Sequence, residues 1–304
     1  MGFGIFCGLS AAVLNSTGYI FGARFLLHYR SAFRLTAVGT SIMMVPCLPL
    51  MFFLFPYEKL LHNREFLLLI PVWILVYWLG QGSFFIALTY FKSSCLSSFL
   101  GLKIVILALI YLIFEHKNPG MWQWAAVILA AGAAVSFNWS GANLTSPAGM
   151  VFLLTTLIGF SLCDIVETRI MQIIQESGYS LMRSSVTAVV TCYSVLGVVS
   201  LPLLFYLRLT RRQIVYASPY ALIWIASQIM LCACFVLLLP VFANVILATR
   251  GIFSVLLGAL LAAVGLSKFD SSITRAQWIK RGISACAMII AIAVYSMANA
   301  GILK

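Results

Sequence analysis

Charge is what this sequence has least of. Only 9% of its 304 residues are Asp, Glu, Lys or Arg, against about 25% in an ordinary soluble domain. With 63% hydrophobic residues and a mean hydropathy of +1.07, that scarcity excludes a soluble globular enzyme, a disordered chain and a fibrous one. It also excludes one membrane anchor carrying a large aqueous domain, because the apolar character does not stop. Acids are scarcer still: seven Asp and Glu stand against nineteen Lys and Arg, a net charge of +12. No basic run exceeds Arg211-Arg212 or Lys280-Arg281. The excess therefore reads as loop and interface charge of a membrane protein, and no nucleic-acid partner is expected. Only three histidines occur (His28, His62 and His116), all in expected loops. The eight cysteines lack zinc spacing. Nearly all fall in apolar stretches and read as small packing residues, so no metal and no cofactor is expected. H-E-x-x-H, G-x-S-x-G and P-loop lysine motifs are missing, which gives no ground for an enzyme. No Lys or Arg precedes Arg24; the first apolar stretch lacks the positive region of a secretory signal and is expected to stay as a helix.

What is present is a series of apolar runs. Ten spans are expected, at about 2–23, 35–57, 66–89, 93–114, 122–137, 147–166, 184–207, 220–239, 242–265 and 282–298. The runs are too long for barrel strands and do not alternate. Each must satisfy its own backbone in hydrocarbon, which leaves helices. The expected fold class is an all-α membrane protein of ten transmembrane helices.

An internal repeat divides them. VPCLPLMFFL at 45–54 resembles VVSLPLLFYL at 198–207, with Pro49 matching Pro202. Gln123-Trp124 opens the fifth span and Gln277-Trp278 the tenth. YIFGAR at 19–24 resembles DIVETR at 164–169. The offsets are 153, 154 and 145, and the three matches keep the same order. Two five-helix units are expected, residues 1–145 and 146–304. Five is odd, so the second unit runs through the membrane inverted relative to the first. Inverted repeats typify secondary transporters, with the substrate near the midplane where the halves meet.

Several segments carry a family likeness. The first span reads LNSTGYIFGARFLL, a polar break followed by a basic residue at the helix end. ALTYFKSSCLSSFLGLKIVILALIYLIFE runs from the third span through the fourth to Glu115, and ANVILATRGIFSVLLGALLAAVG is its counterpart in the second half. The chain resembles the drug/metabolite transporter (DMT) superfamily, in the ten-helix branch built from two EamA-like repeats. The likeness covers nearly the whole chain, but its diffuse motifs mark the superfamily and no particular substrate. Two departures stand out. The second copy ends in LSKFD, where the family usually has Gly-Glu, and Lys103 stands about where the family often has a Pro.

Two cations lie deep in their spans. Lys103 and Arg250 sit about 12–15 Å from the start of the fourth and ninth helices, near the midplane, and the two helices are repeat counterparts. A cation there costs at least about 2.5–3.5 kcal/mol, so it needs a partner or a wet cavity. The functional reading is an anion-attracting site between the halves; the alternative is a structural pairing with an acid or with backbone carbonyls. Asn15, Gln81, Gln228 and Asn244 lie within spans and each needs a hydrogen-bond partner, as substrate contacts or as interhelical glue. Trp78 and Tyr77 could stack on a flat substrate or simply pack. Asp164 and Glu167, three apart on one helix face, fall at the end of the sixth expected span. Asp164 is the candidate for proton coupling there, against an interfacial, solvated role for both acids; Glu115 is expected at an interface.

The expected function is a secondary transporter, an exporter or exchanger, of a small polar or anionic metabolite by alternating access. Lys103 and Arg250 would hold the anion, and Asn15, Gln81, Asn244 and Trp78 would line the cavity. The alternative is a non-transporting membrane protein, such as a lipid scrambler or an assembly scaffold. Expected partners are the lipid bilayer, the small-molecule substrate, protons or a counter-substrate, and a second copy in a homodimer. The location expected is a bacterial inner membrane. The distribution of basic residues favours external termini; the family resemblance implies cytoplasmic ones, which is the expectation adopted.

Overall fold

The computed structural model describes residues 2–91, 96, 99–114, 120–138, 146–238, 240–263, 275–299 and 302. Glu115, His116 and the LSKFD segment lie outside them. The described helices are α1 (Gly2–Tyr29), α2 (Ala32–Leu54), α3 (Tyr57–Leu60), α4 (Arg64–Tyr90), α5 (Lys103–Phe114) preceded by a 3-10 turn (Leu100–Leu102), α6 (Met121–Asn138), α7 (Pro147–Glu176), α8 (Leu181–Leu207), α9 (Arg211–Leu238), α10 (Pro240–Leu247), α11 (Arg250–Ala263) and α12 (Arg275–Asn299). Six of them (α1, α2, α4, α7, α8 and α9) are long and apolar enough to cross a membrane. The surface fits that solvent: Phe52, Phe53, Leu68 and Leu75 are exposed, while Ser16, Thr40, Ser161, Ser194 and Ser200 are buried.

Local signals set the helix starts. Ser31, Asn63 and Ser146 precede α2, α4 and α7, and each side chain accepts a hydrogen bond from the backbone N–H three residues on, satisfying a donor the helix leaves open. Pro147 at the first position of α7 gives up no backbone bond. Several helices run further than the apolar runs suggest: α9 begins at Arg211 and α12 at Arg275, and α1 and α7 extend at their ends. α1 continues to Tyr29 and so holds His28 within the helix rather than a loop. α7 continues to Glu176, 30 residues in all. At 1.5 Å per residue, Asp164 lies about 26 Å from one end of α7 and about 18 Å from the other. The interfacial reading of Asp164 and Glu167 is thereby corrected. A hydropathy run ends at the first acids, whereas a helix continues wherever the acids find partners.

The long helices pack in pairs, α1 against α9, α2 against α8 and α4 against α7, and α6 lies against α12. In hydrocarbon such contacts depend on close approach and interhelical hydrogen bonds, because lipid supplies no hydrophobic drive. Thr40 Oγ1 donates to Ser200 Oγ at 2.9 Å between α2 and α8, and Ser227 Oγ donates to the Ala11 carbonyl at 3.0 Å between α9 and α1. α4 and α7 touch backbone to backbone. A Cβ on Gly159 would stand 2.7 Å from Gly80 Cα and 2.8 Å from Gly80 N, and main chain cannot rotate aside. Gly159→Val is therefore expected to cost about 3 kcal/mol, the upper end for overpacking, seen as a lower thermal midpoint in detergent. Gly82→Ala, where a Cβ would meet nothing within 4 Å, is the control that should leave the midpoint in place.

Candidate functional site

Lys103 and Arg250 each begin a helix at an interruption. Lys103 follows the 3-10 turn and is the first residue of α5. Arg250 follows the turn at Ala248-Thr249 and is the first residue of α11. Around it the backbone tightens: Gly251 N–H donates to the Ala248 carbonyl at 3.2 Å and Ile252 N–H to the Thr249 carbonyl at 2.9 Å. Irregular backbone at membrane depth is tolerated where protein encloses it. Ser16 Oγ of α1 supplies such enclosure by donating to the Arg250 carbonyl at 2.8 Å. Helix N-termini carry partial positive charge, so both interruptions add to the cations that stand on them. Lys103 and Arg250 are each 3% exposed.

Both side chains line one central cavity of about 40 Å³. Asp164 and Glu167 of α7 line it as well, with Asn15 and Tyr19 of α1, Trp73 and Tyr77 of α4, Tyr193 of α8, and Trp224 and Gln228 of α9. Lys103 Nζ stands 2.7 Å from Asp164 Oδ2. Asn244 Nδ2 of α10 donates to the same oxygen at 2.7 Å and also to the Pro240 carbonyl at 2.9 Å. The Arg250 guanidinium lies beside the Tyr19 hydroxyl. Trp224 Nε1 donates to Tyr193 Oη at 2.9 Å, and Lys103 Nζ lies 6.0 Å from the centre of the Phe160 ring. Among the described residues, three buried polar atoms of this wall complete no hydrogen bond of good geometry: Asn15 Oδ1, Trp73 Nε1 and Tyr77 Oη. Buried polar groups left open cost about 1–3 kcal/mol each.

Lys103, Arg250, Asn15 and Asp164 thus come together as lining residues. Asn244 stands behind Asp164 and reaches the cavity through it. Gln81 is buried, but its Nε2 donates to Tyr220 Oη at 3.0 Å and it lies off the cavity wall. Trp78 is half-buried and packs on Phe33, ring centres 5.9 Å apart, also away from the cavity. Tyr19, Trp73, Tyr193 and Trp224 belong to the wall although nothing singled them out in the sequence. The four-residue spacing of Trp73 and Tyr77, which stack at 5.1 Å, is the sole local sign of that aromatic face. Cys232 does more than pack, since its thiol donates to Glu167 Oε1 at 3.1 Å.

Comparison with known proteins completes the picture. No curated protein matches the chain. A solved structure, described only as the crystal structure of a protein, aligns over 95% of this chain and 98% of its own, with a TM-score of 0.60 and 12% identity; at that identity the likeness is one of fold. Residues 2–139 match the EamA-like transporter family. That family's members are transporters, and the membrane-length helices with buried charges at their interruptions agree with it. The chain is a multi-pass integral membrane protein whose residues 2–139 are similar to the EamA-like transporter family.

Proposed function

We propose that the protein is a secondary transporter that exports or exchanges a small polar or anionic metabolite by alternating access. The observation that carries this reading is the cavity lined by two cations at helix interruptions, two acids and the polar side chains of Asn15, Trp73 and Tyr77. A cavity of about 40 Å³ holds about three waters at 10–15 Å³ each. Small-molecule pockets run to about 300–1,000 Å³, so a metabolite enters only as the walls part. Lys103, Arg250 and Asn15 would touch the substrate, Asn244 would act through Asp164, and Gln81 and Trp78 would join as the helices move. Asp164, held by Lys103 and Asn244, serves as a fixed counter-charge in this reading rather than as the proton carrier. The chain has no P-loop sequence, which leaves a proton gradient or exchange to drive transport.

Ten spans in two inverted five-helix units, 1–145 and 146–304, underlie the cycle. Four shorter apolar helices accompany the six long ones. The pairing pattern supports the inversion. Exchanging the halves turns the α1–α9 contact into the α7–α4 contact, and it returns α2–α8 and α6–α12 to themselves. Pro71 inside α4 and Pro219 inside α9 are counterparts under the same exchange, as are Lys103 and Arg250. A bacterial inner membrane with cytoplasmic termini, and a homodimer, complete the proposal.

Metabolite profiling tests it. Cells with the wild-type protein should release at least one small polar metabolite faster than cells with the Lys103→Ala/Arg250→Ala form inserted at equal level. Identical profiles would overturn the reading and favour a scaffold or scrambler. Cysteine at position 103, in a chain freed of its native cysteines, should react with a water-soluble thiol reagent only in the transporter.

A further inference from the structure

Four ionisable groups of opposite sign line the cavity: Lys103, Arg250, Asp164 and Glu167. The two acids are held differently. Asp164 is engaged by a cation and an amide. Glu167 is 3% exposed and accepts from a thiol, Cys232 Sγ at 3.1 Å; among the described residues its carboxyl makes no ion pair. Its other ionisable or polar neighbours are Asp164 and Cys163 on α7 itself, Trp73 and Tyr77 on α4, and Cys192 and Tyr193 on α8. Lys103 on α5 faces it from beyond Asp164, and Arg250 borders the same cavity. Protonating Asp164 would strip a buried ammonium of its partner, whereas protonating Glu167 breaks no ion pair. The cavity itself has room for the water that delivers the proton.

We propose that Glu167 is a proton-binding site of the transport cavity, loading one proton as a singly charged anion binds beside Lys103 and Arg250 and releasing it as the anion leaves. The inference rests on the transporter reading above. Its physical reason is charge balance at low dielectric, where an uncompensated charge is costly. Among the described residues, two cations and two carboxyl groups line the cavity. An arriving anion adds one negative charge, and a proton on Glu167 removes one. The walls then remain balanced in both states only when proton and anion travel together. Export would follow the metabolite's own outward gradient, with a proton leaving alongside each anion.

The test uses full-length protein in proteoliposomes and infrared difference spectra across a pH jump, read in the carboxylic C=O region. Wild-type protein should show a protonated-carboxyl band that is lost in Glu167→Gln and kept in Asp164→Asn. Cys232→Ala removes the thiol donor and should shift the band, which keeps the test open where Glu167→Gln fails to fold. Absence of the wild-type band, or its survival unshifted in both Glu167→Gln and Cys232→Ala, would overturn the proposal. In cells, release of the metabolite found by profiling should change about tenfold per pH unit where proton binding limits it and should become flat in Glu167→Gln. A band lost in Glu167→Gln with no metabolite moved by any form removes the transport reading and the coupling, and keeps the proton site. Transport whose pH response is the same in Glu167→Gln removes the proton site and leaves transport standing.

Discussion

Lys103→Ala should abolish transport and lower stability by about 3–5 kcal/mol, the cost of breaking a buried ion pair from one side. Its partner is the reason. Lys103 Nζ lies 2.7 Å from Asp164 Oδ2, with the two side chains 4% and 8% exposed. Truncation leaves the Asp164 carboxylate buried with the Asn244 amide alone. The effect should be strongly non-additive: Lys103→Met with Asp164→Leu, which removes both charges and keeps volume, should recover most of the thermal midpoint while transport stays lost. Thermal unfolding of the two single variants and the double in detergent measures the coupling. Single variants as stable as wild type would show that the pair does not form. The contrast is the Arg169–Glu65 pair, 2.6 Å apart with side chains 38% and 50% exposed, where water screens the charges and little stability is at stake.

Arg250→Ala should reduce metabolite release about ten- to a hundredfold while the protein still inserts. A charge-assisted hydrogen bond contributes about 1.5–3 kcal/mol, and each 1.36 kcal/mol is about tenfold in rate. Arg250→Lys should restore only part of the rate. An ammonium keeps the charge but loses the planar fork that grips a carboxylate or phosphate with two parallel bonds. Efflux rates at matched membrane levels of each variant decide it. Wild-type kinetics in Arg250→Ala would remove Arg250 from the substrate site. Equal rates for Arg250→Lys and wild type would reduce its role to charge alone.

The two cations were visible in the sequence because hydropathy is a local property. A Lys or Arg inside twenty apolar residues stands out whatever the fold does. Their placement at helix interruptions was not visible, since the surrounding runs LGLKIVIL and ILATRGIF carry no proline at the breaks. The acids were misplaced for the complementary reason. Asp164 and Glu167 sit where an apolar run gives out, and the run's end reads as the membrane's edge. α7 passes through that point because Lys103 and Asn244 meet Asp164 there, and Cys232 meets Glu167. Gln81 and Trp78 show a limit of the same signal. A polar or aromatic residue inside a span reports that it needs a neighbour, and Tyr220 and Phe33 supply one away from the cavity.

By itself the sequence determined the solvent, the helices and two buried positive charges. Each span must satisfy its own backbone in hydrocarbon and a lone charge there is costly. Tertiary structure alone decided which acid faces which cation, which aromatic residues wall the cavity, and how small that cavity is. Those are contacts between residues tens to more than a hundred positions apart, and helical periodicity names a face without naming the helix that will cover it.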